Sequence, residues 1–182
     1  MAAQHATEPA AAASALRLFY ALWPDAATRT ALAALQDGLG GRPTTPANLH
    51  LTLAFLGQQP ATALPLLEAV LAELPSAPLP LTLNRSGYFE RPRIAWIGPE
   101  PAPAALLDLQ RTLSQALAQQ PIRYQAAARF LPHVTLARNA NAGPALLDTP
   151  IPWRSSQIAL ACSETLPQGA RYRVLAARRL DG

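Results

Sequence analysis

Asn48-Leu49-His50-Leu51-Thr52-Leu53-Ala54-Phe55-Leu56-Gly57 alternates at its start and then turns apolar, as a β-strand does when one face is buried and the other is open. Strand side chains alternate with period two, so His50 and Thr52 share one face while Leu49, Leu51 and Leu53 share the other. His133-Val134-Thr135-Leu136 repeats the arrangement. Each strand then carries an imidazole and a hydroxyl about 6.6 Å apart on the face its apolar residues leave free. Two such strands set face to face make a cleft with four polar groups. None of the 19 prolines falls within Leu49 to Gly57 or within His133 to Ala142, so both strands are free of breakers.

A bare His-x-Thr triplet specifies little, since His5-Ala6-Thr7 matches as well and all three histidines obey the pattern. Context separates them. His5 lies in an Ala/Pro-rich stretch with no alternating apolar partner, whereas His50 and His133 interrupt strands that otherwise bury themselves. Threonine also suits a strand simply because it is β-branched, yet its hydroxyl is a ready donor to a phosphate oxygen.

Working outward, Leu16 to Leu22 reads as a short apolar strand, and Pro24-Asp25 opens a helix over Ala26 to Gln36 that the glycines Gly38, Gly40 and Gly41 close. Thr62 to Leu74 has the composition of a second helix, ended by Pro75. Leu79 to Tyr88 and Arg93 to Ile97 read as strands of a hairpin around Glu90-Arg91-Pro92. A long helix follows from Ala104 to Gln119, then the strand Pro132 to Arg138, and the tail supplies strands near Ser156 to Cys162 and Arg171 to Ala177. About seven strands and three helices make an α+β pattern.

At 182 residues, half of them apolar and 14% charged, the chain has the proportions of one folded domain over residues 16–182, with residues 1–15 expected as a disordered N-terminal tail. All 15 basic residues are arginine, against 11 acidic residues, for a net charge of +4. An arginine fork matches phosphate oxygens, although a chain rich in Ala, Pro, Leu and Arg also looks like the product of a GC-rich genome. The lone Cys162 permits no internal disulfide, which is consistent with a reducing cytoplasm. No window approaches the apolar run that a membrane span requires, and the opening residues lack a basic leader before an apolar run.

The two motif strands resemble the paired signatures of the RNA 2',3'-cyclic phosphodiesterases, the bacterial and archaeal 2'-5' RNA ligase family of the 2H phosphoesterase superfamily. The resemblance rests on the ten residues from Asn48 to Gly57, its most specific part, and on Pro132-His133-Val134-Thr135-Leu136-Ala137-Arg138. It extends to Arg17-Leu18-Phe19-Tyr20-Ala21-Leu22 as the opening strand and to Gly169-Ala170-Arg171-Tyr172-Arg173-Val174-Leu175 as the closing one, so that it covers about residues 16–180. It implies a bilobal fold in which two pseudo-symmetric antiparallel sheets flank a central cleft with helices outside. It also implies that His50 is the general acid and His133 the base, that Thr52 and Thr135 bind the substrate, and that the product is a 2'-phosphomonoester.

Two further residues enter through the resemblance. Arg138 is similar to the family's phosphate-contacting arginine, but strict alternation puts it on the face opposite His133, so a bulge or a strand end would have to turn it inward. Tyr20 stands where the family has an aromatic that could stack on a terminal base; the other reading is a core aromatic.

The residues themselves say why this chemistry suits them. Hydrolysis of a cyclic phosphate needs a proton taken from water and one given to a poor alkoxide leaving group, and imidazole does either near neutrality. No His-x-x-x-His, Cys cluster or carboxylate at ligand spacing accompanies the motifs, so no metal is expected. A G-x-S-x-G elbow and a G-x-x-x-x-G-K-[ST] loop are both absent, which argues against a serine hydrolase and an ATP-driven ligase; no cofactor is expected. The expected partners are RNA ends or nucleoside 2',3'-cyclic phosphates, with no membrane, and the chain is expected to be a cytoplasmic monomer. The rival readings are ATP-independent 2'-5' joining of RNA ends by the same histidines, and an RNA-end binding protein without turnover.

Overall fold

The structure is a computed structural model that describes residues 15–144, 149–155, 157–166 and 169–180. The expected N-terminal tail falls, but for Ala15, outside the described residues. β1 (Ala15–Leu22) leads into α1 (Ala26–Ala34), whose N-cap Asp25 accepts a 2.8 Å hydrogen bond from the Thr28 amide, satisfying one of the amides a helix start leaves unpaired. A two-residue strand, β2 (Arg42–Pro43), and a short 3₁₀ turn (Pro46–Asn48) precede β3 (Leu51–Pro60), which is followed by α2 (Leu64–Glu73). Then come β4 (Leu79–Leu83), β5 (Arg85–Phe89), β6 (Ile94–Gly98), α3 (Ala104–Ala118) and β7 (Val134–Arg138). β8 (Ile151–Ser155), β9 (Gln157–Leu166) and β10 (Gly169–Arg179) complete the described elements.

The mixed fold has two antiparallel sheets and few helices, but the sheets are not the two like sheets expected. One is large, in the order β10-β9-β1-β3-β7-β6-β5 with β2 added beside β7, and the other is the pair β4-β8. In the large sheet β3 and β7 meet through a single antiparallel pair, Leu51 opposite Val134. Beyond it the strands part, and β2 takes up the edge of β7 with Arg42 opposite Arg138 and Pro43 opposite Ala137. A sheet that comes apart at its middle while its outer strands stay paired opens a cleft there.

One core lies under the large sheet and runs through both halves, with Leu18, Tyr20, Leu22, Leu51, Val134 and Leu136 all fully buried. α3 closes it with Leu106, Leu109, Leu113 and Leu117, spaced so that they line one side of a helix. A second, small cluster of Phe19, Ala21, Trp23, Ala159 and Ala161 packs apart from it. Alternation along β1 explains the division, since Leu18, Tyr20 and Leu22 point one way and Phe19 and Ala21 the other.

Two strand predictions need correction. Leu79 to Tyr88 is not one strand: it divides at Asn84 into β4 and β5, which belong to different sheets. β8 was not foreseen, yet it carries the fully buried Trp153.

The register of β3 and β7 with their outer neighbours is irregular at the same place in both motifs, and that of β3 a second time at Leu56. Opposite β1, Thr52 faces Ala21 and Ala54 faces Tyr20, so Leu53 is an extra residue. Opposite β6, Thr135 faces Trp96 and Ala137 faces Ala95, so Leu136 is extra. Such a bulge advances the alternation by one. The residue two places beyond each bulge, Phe55 or Arg138, therefore returns to the face of the motif histidine, and both are exposed.

Candidate active site

The single Leu51–Val134 pair brings the two motifs side by side. Continued by one residue either way, this antiparallel register sets His50 level with Thr135 and His133 level with Thr52. A cavity of about 590 Å³ opens over them, with His50, Thr52, His133 and Arg138 in its lining, a volume that suits a small ligand such as a nucleotide. Thr135 is half-buried on the same strand face as His133.

Each histidine is held in the same way. His50 Nδ1 lies 2.6 Å from the carbonyl oxygen of Asn48, and His133 Nδ1 lies 2.8 Å from that of Leu131, in both cases two residues back along the chain. A carbonyl only accepts, so Nδ1 carries the proton in both rings. Nε2 is left as the nitrogen that can exchange a proton. In His50 it stands 3.0 Å from the Thr52 hydroxyl, which donates to it while the ring is neutral.

Aromatic rings surround both imidazoles. Trp23 stacks on His50 with centroids 5.3 Å apart, and Phe19 and Tyr172 each lie 5.1 Å from it. His133 meets the edges of Phe89 at 5.4 Å and Trp96 at 6.1 Å. Removal from water disfavours the charged ring. Burial accordingly lowers the His50 pKa to about 4, with the Asn48 hydrogen bond opposing the shift and the positive charges of Arg138 and His133 adding to it. His133 is lowered too, chiefly by burial, against its Leu131 hydrogen bond and with the help of Arg138. Both rings are thus neutral at pH 7.

Asn48 ties this arrangement to the far edge of the sheet. Its amide nitrogen donates to the Ala170 carbonyl at 2.6 Å, and its side-chain oxygen accepts from the Tyr172 amide at 3.3 Å. The residue whose carbonyl orients His50 therefore also positions Tyr172 against the same ring.

Glycine makes room behind the second motif. A Cβ on Gly98 would overlap the Pro132 carbonyl oxygen, and one on Gly87 would overlap the Trp96 indole. Gly98→Ala is expected to destabilise the fold by about 1–3 kcal/mol through overpacking against backbone that cannot yield cheaply. Urea unfolding measures this, and an unchanged midpoint would show that the His133 segment is free to move.

Of the predicted site residues, the structure brings His50, Thr52, His133 and Arg138 to one cavity. Arg138 arrives there because of the Leu136 bulge, and it acts on both histidines. Tyr20 does not face the cleft: it is fully buried, and its hydroxyl donates to the Leu67 carbonyl at 2.7 Å. Alternation with Leu18 and Leu22 sends it into the main core. The aromatic that does face His50 from β1 is its neighbour Phe19. Trp23, Tyr172, Phe89 and Trp96 were not foreseen either, nor was Arg42, which also lines the cavity. Phe19 was findable from the alternation of β1, whereas Arg42 sits in a Gly/Pro/Thr segment with no periodicity to read.

A family model described as the 2'-5' RNA ligase superfamily matches residues 5–161, most of the chain and both motif strands. The chain belongs to this superfamily. A relative from Thermus thermophilus named RNA 2',3'-cyclic phosphodiesterase is 33% identical over 92% of this chain and 91% of its own length. One of the same name from Escherichia coli is 36% identical over 56% of this chain and 57% of its own length. Among solved structures, Escherichia coli LigT complexed with 3'-AMP superposes with a TM-score of 0.80 at 28% identity, over 93% of this chain and all 100% of LigT. The structure of TT0787 of Thermus thermophilus gives 0.74 at 31% identity over 91% of this chain and 98% of its own. Among the described residues no helix is long and apolar enough to cross a membrane.

Proposed function

We propose that the chain is an RNA 2',3'-cyclic phosphodiesterase that opens the terminal ring to a 2'-phosphomonoester by two-histidine acid-base catalysis, without a metal. One observation carries this reading: two imidazoles, each fixed through Nδ1 to the carbonyl two residues before it, leave Nε2 as the working nitrogen in one cavity beside Arg138. The matched bulges after each motif support reading the two halves of the sheet as pseudo-symmetric lobes around that cavity. The relatives named RNA 2',3'-cyclic phosphodiesterase support the same substrate class.

In this reading His133 Nε2 takes a proton from water as its oxygen attacks phosphorus. His50, protonated at Nε2, gives its proton to the departing 3'-oxygen as the phosphorus–oxygen bond breaks. The hydroxyls of Thr52 and Thr135 and the Arg138 guanidinium hold the non-bridging oxygens, where negative charge grows as phosphorus gains its fifth ligand. His50 by itself is neutral at pH 7, and the bound phosphate anion restores its charge. A single chain supplies every one of these groups.

The pH dependence follows with a definite sign. Reaction needs one ring charged and one neutral, and both pKa values lie below the ordinary value of about 6.5 in the free enzyme. The alkaline limb of kcat/KM, which reports the free enzyme, should therefore begin below about pH 6.5 and fall about tenfold per unit. Bound phosphate raises the imidazolium pKa, so the limb of kcat should lie at higher pH. The test is turnover of a nucleoside 2',3'-cyclic phosphate in excess EDTA from about pH 4 to about pH 9, separating 2'- from 3'-monophosphate. Exclusive 2'-phosphate with these two displaced limbs supports the proposal. No product from this substrate or from an RNA oligomer with the same end removes it and leaves ligation or binding as the account.

A further inference from the structure

The cleft holds more arginines than the reacting phosphate calls for, since Arg17 and Arg42 line it beside Arg138. β2 pairs with β7 so that Arg42 stands directly opposite Arg138. Residues so placed project on one face with Cβ atoms about 5 Å apart, and like charges there repel. Among the described residues the ion pairs engage Arg85, Arg111 and Arg173, and neither Arg42 nor Arg138 has a carboxylate partner. A fold that sets two unneutralised guanidinium groups side by side has a destabilising pair that an anionic ligand would relieve.

The two arginines are not equivalent. Arg138 is close enough to both histidines to disfavour their protonation, whereas Arg42 is not among the charges that shift either ring. Arg42 lies on β2, beside β7 rather than on the strand that follows His133. A second, smaller cavity of about 80 Å³ adjoins the first, shares Arg42 and Arg138 with it, and is edged by Thr44 and Thr45. Among the described residues no carboxylate lines either space. An arginine fork with threonine hydroxyls beside it is a donor set for phosphate oxygens.

We propose that Arg42 anchors a second phosphate subsite, which takes the phosphodiester joining the terminal nucleotide to the one before it, so that the cleft is built for the end of an RNA strand. A cyclic mononucleotide carries one phosphate and leaves Arg42 unpaired beside Arg138. An RNA end brings a second negative charge one nucleotide away, within the span of two neighbouring arginine side chains. This inference rests on the function proposed above and names its substrate class.

The experiment compares kcat/KM for cytidine 2',3'-cyclic phosphate and for the dinucleotide ApC ending in the same cyclic phosphate, in wild type, Arg42→Gln and Arg42→Lys. Calorimetry with the corresponding 2'-phosphate products runs in parallel. Wild type should prefer the dinucleotide, and Arg42→Gln should shrink that preference by about tenfold, the loss of one charge-assisted phosphate contact. Arg42→Lys, which keeps the charge, should recover part of it. An equal fall on both substrates would place Arg42 on the reacting phosphate and overturn the proposal, as would an unchanged preference. If wild type turns over neither substrate, the hydrolase reading fails instead, and the product affinities, which need no turnover, still decide whether the subsite exists.

Discussion

Alanine in place of His133 is expected to lower kcat/KM toward a 2',3'-cyclic phosphate by about 10²–10⁴-fold, and alanine in place of His50 by a comparable factor. The double variant should be little worse than either single one, because the two rings act in one proton relay and the loss of either stops it. The geometry gives the singles different structural costs. His50 is packed among Phe19, Trp23 and Tyr172, with Trp23 stacked face to face on it, whereas His133 meets only the edges of Phe89 and Trp96. His50→Ala should therefore lower the melting temperature more than His133→Ala while the two activities fall alike. Steady-state kinetics beside thermal unfolding separates the effects, and a loss under about tenfold at either position would show that its imidazole moves no proton in the slow step.

The motif strands were legible because burial on one face leaves a period-two record, and both strands keep it through the threonine. The same record, read along β1, sends Tyr20 inward with Leu18 and Leu22; likeness to a family aromatic pointed the other way, and the neighbour Phe19 holds the place against His50. Arg138 shows where alternation ends. A bulge leaves no mark in composition, since Leu136 is as apolar as any strand residue, yet it decides which face the arginine takes.

β8 was hidden by Pro152, a residue that reads as a breaker. It is tolerated because β8 pairs only with β4, where Pro80 sits among alternately buried leucines in the same fashion. Leu79 to Tyr88 reads as one run from the alternation of Leu79, Leu81 and Leu83, carried on past Asn84. The division at Asn84 is made by tertiary bonds instead, its amide donating to the Gly98 carbonyl at 3.1 Å and its side chain to the Glu100 carbonyl at 2.6 Å. Arg42 and the aromatic partners of the histidines come from segments far apart in sequence. Only the folded sheet brings them together.

Valine in place of Thr135 is expected to lower kcat by about 10²–10³-fold, the usual effect of removing one donor to a developing oxyanion. Valine keeps the β-branched shape that a strand favours, so the change isolates the hydroxyl, and KM should move little because the charge it serves appears only as phosphorus gains its fifth ligand. Thr52→Val should cost as much and do one thing more. The Thr52 hydroxyl touches His50 Nε2 at 3.0 Å, so its loss changes the surroundings of a titrating nitrogen, and the pH limb assigned to His50 should move. Thr135 stands level with His50 only across the gap between strands, by continuation of the Leu51–Val134 register, and its variant should leave both limbs in place. Profiles of kcat and kcat/KM for the two variants carry the distinction: equal losses with one displaced limb identify Thr52 as the hydroxyl coupled to the acid. Displacement of neither limb would mean that this hydroxyl serves the phosphate alone.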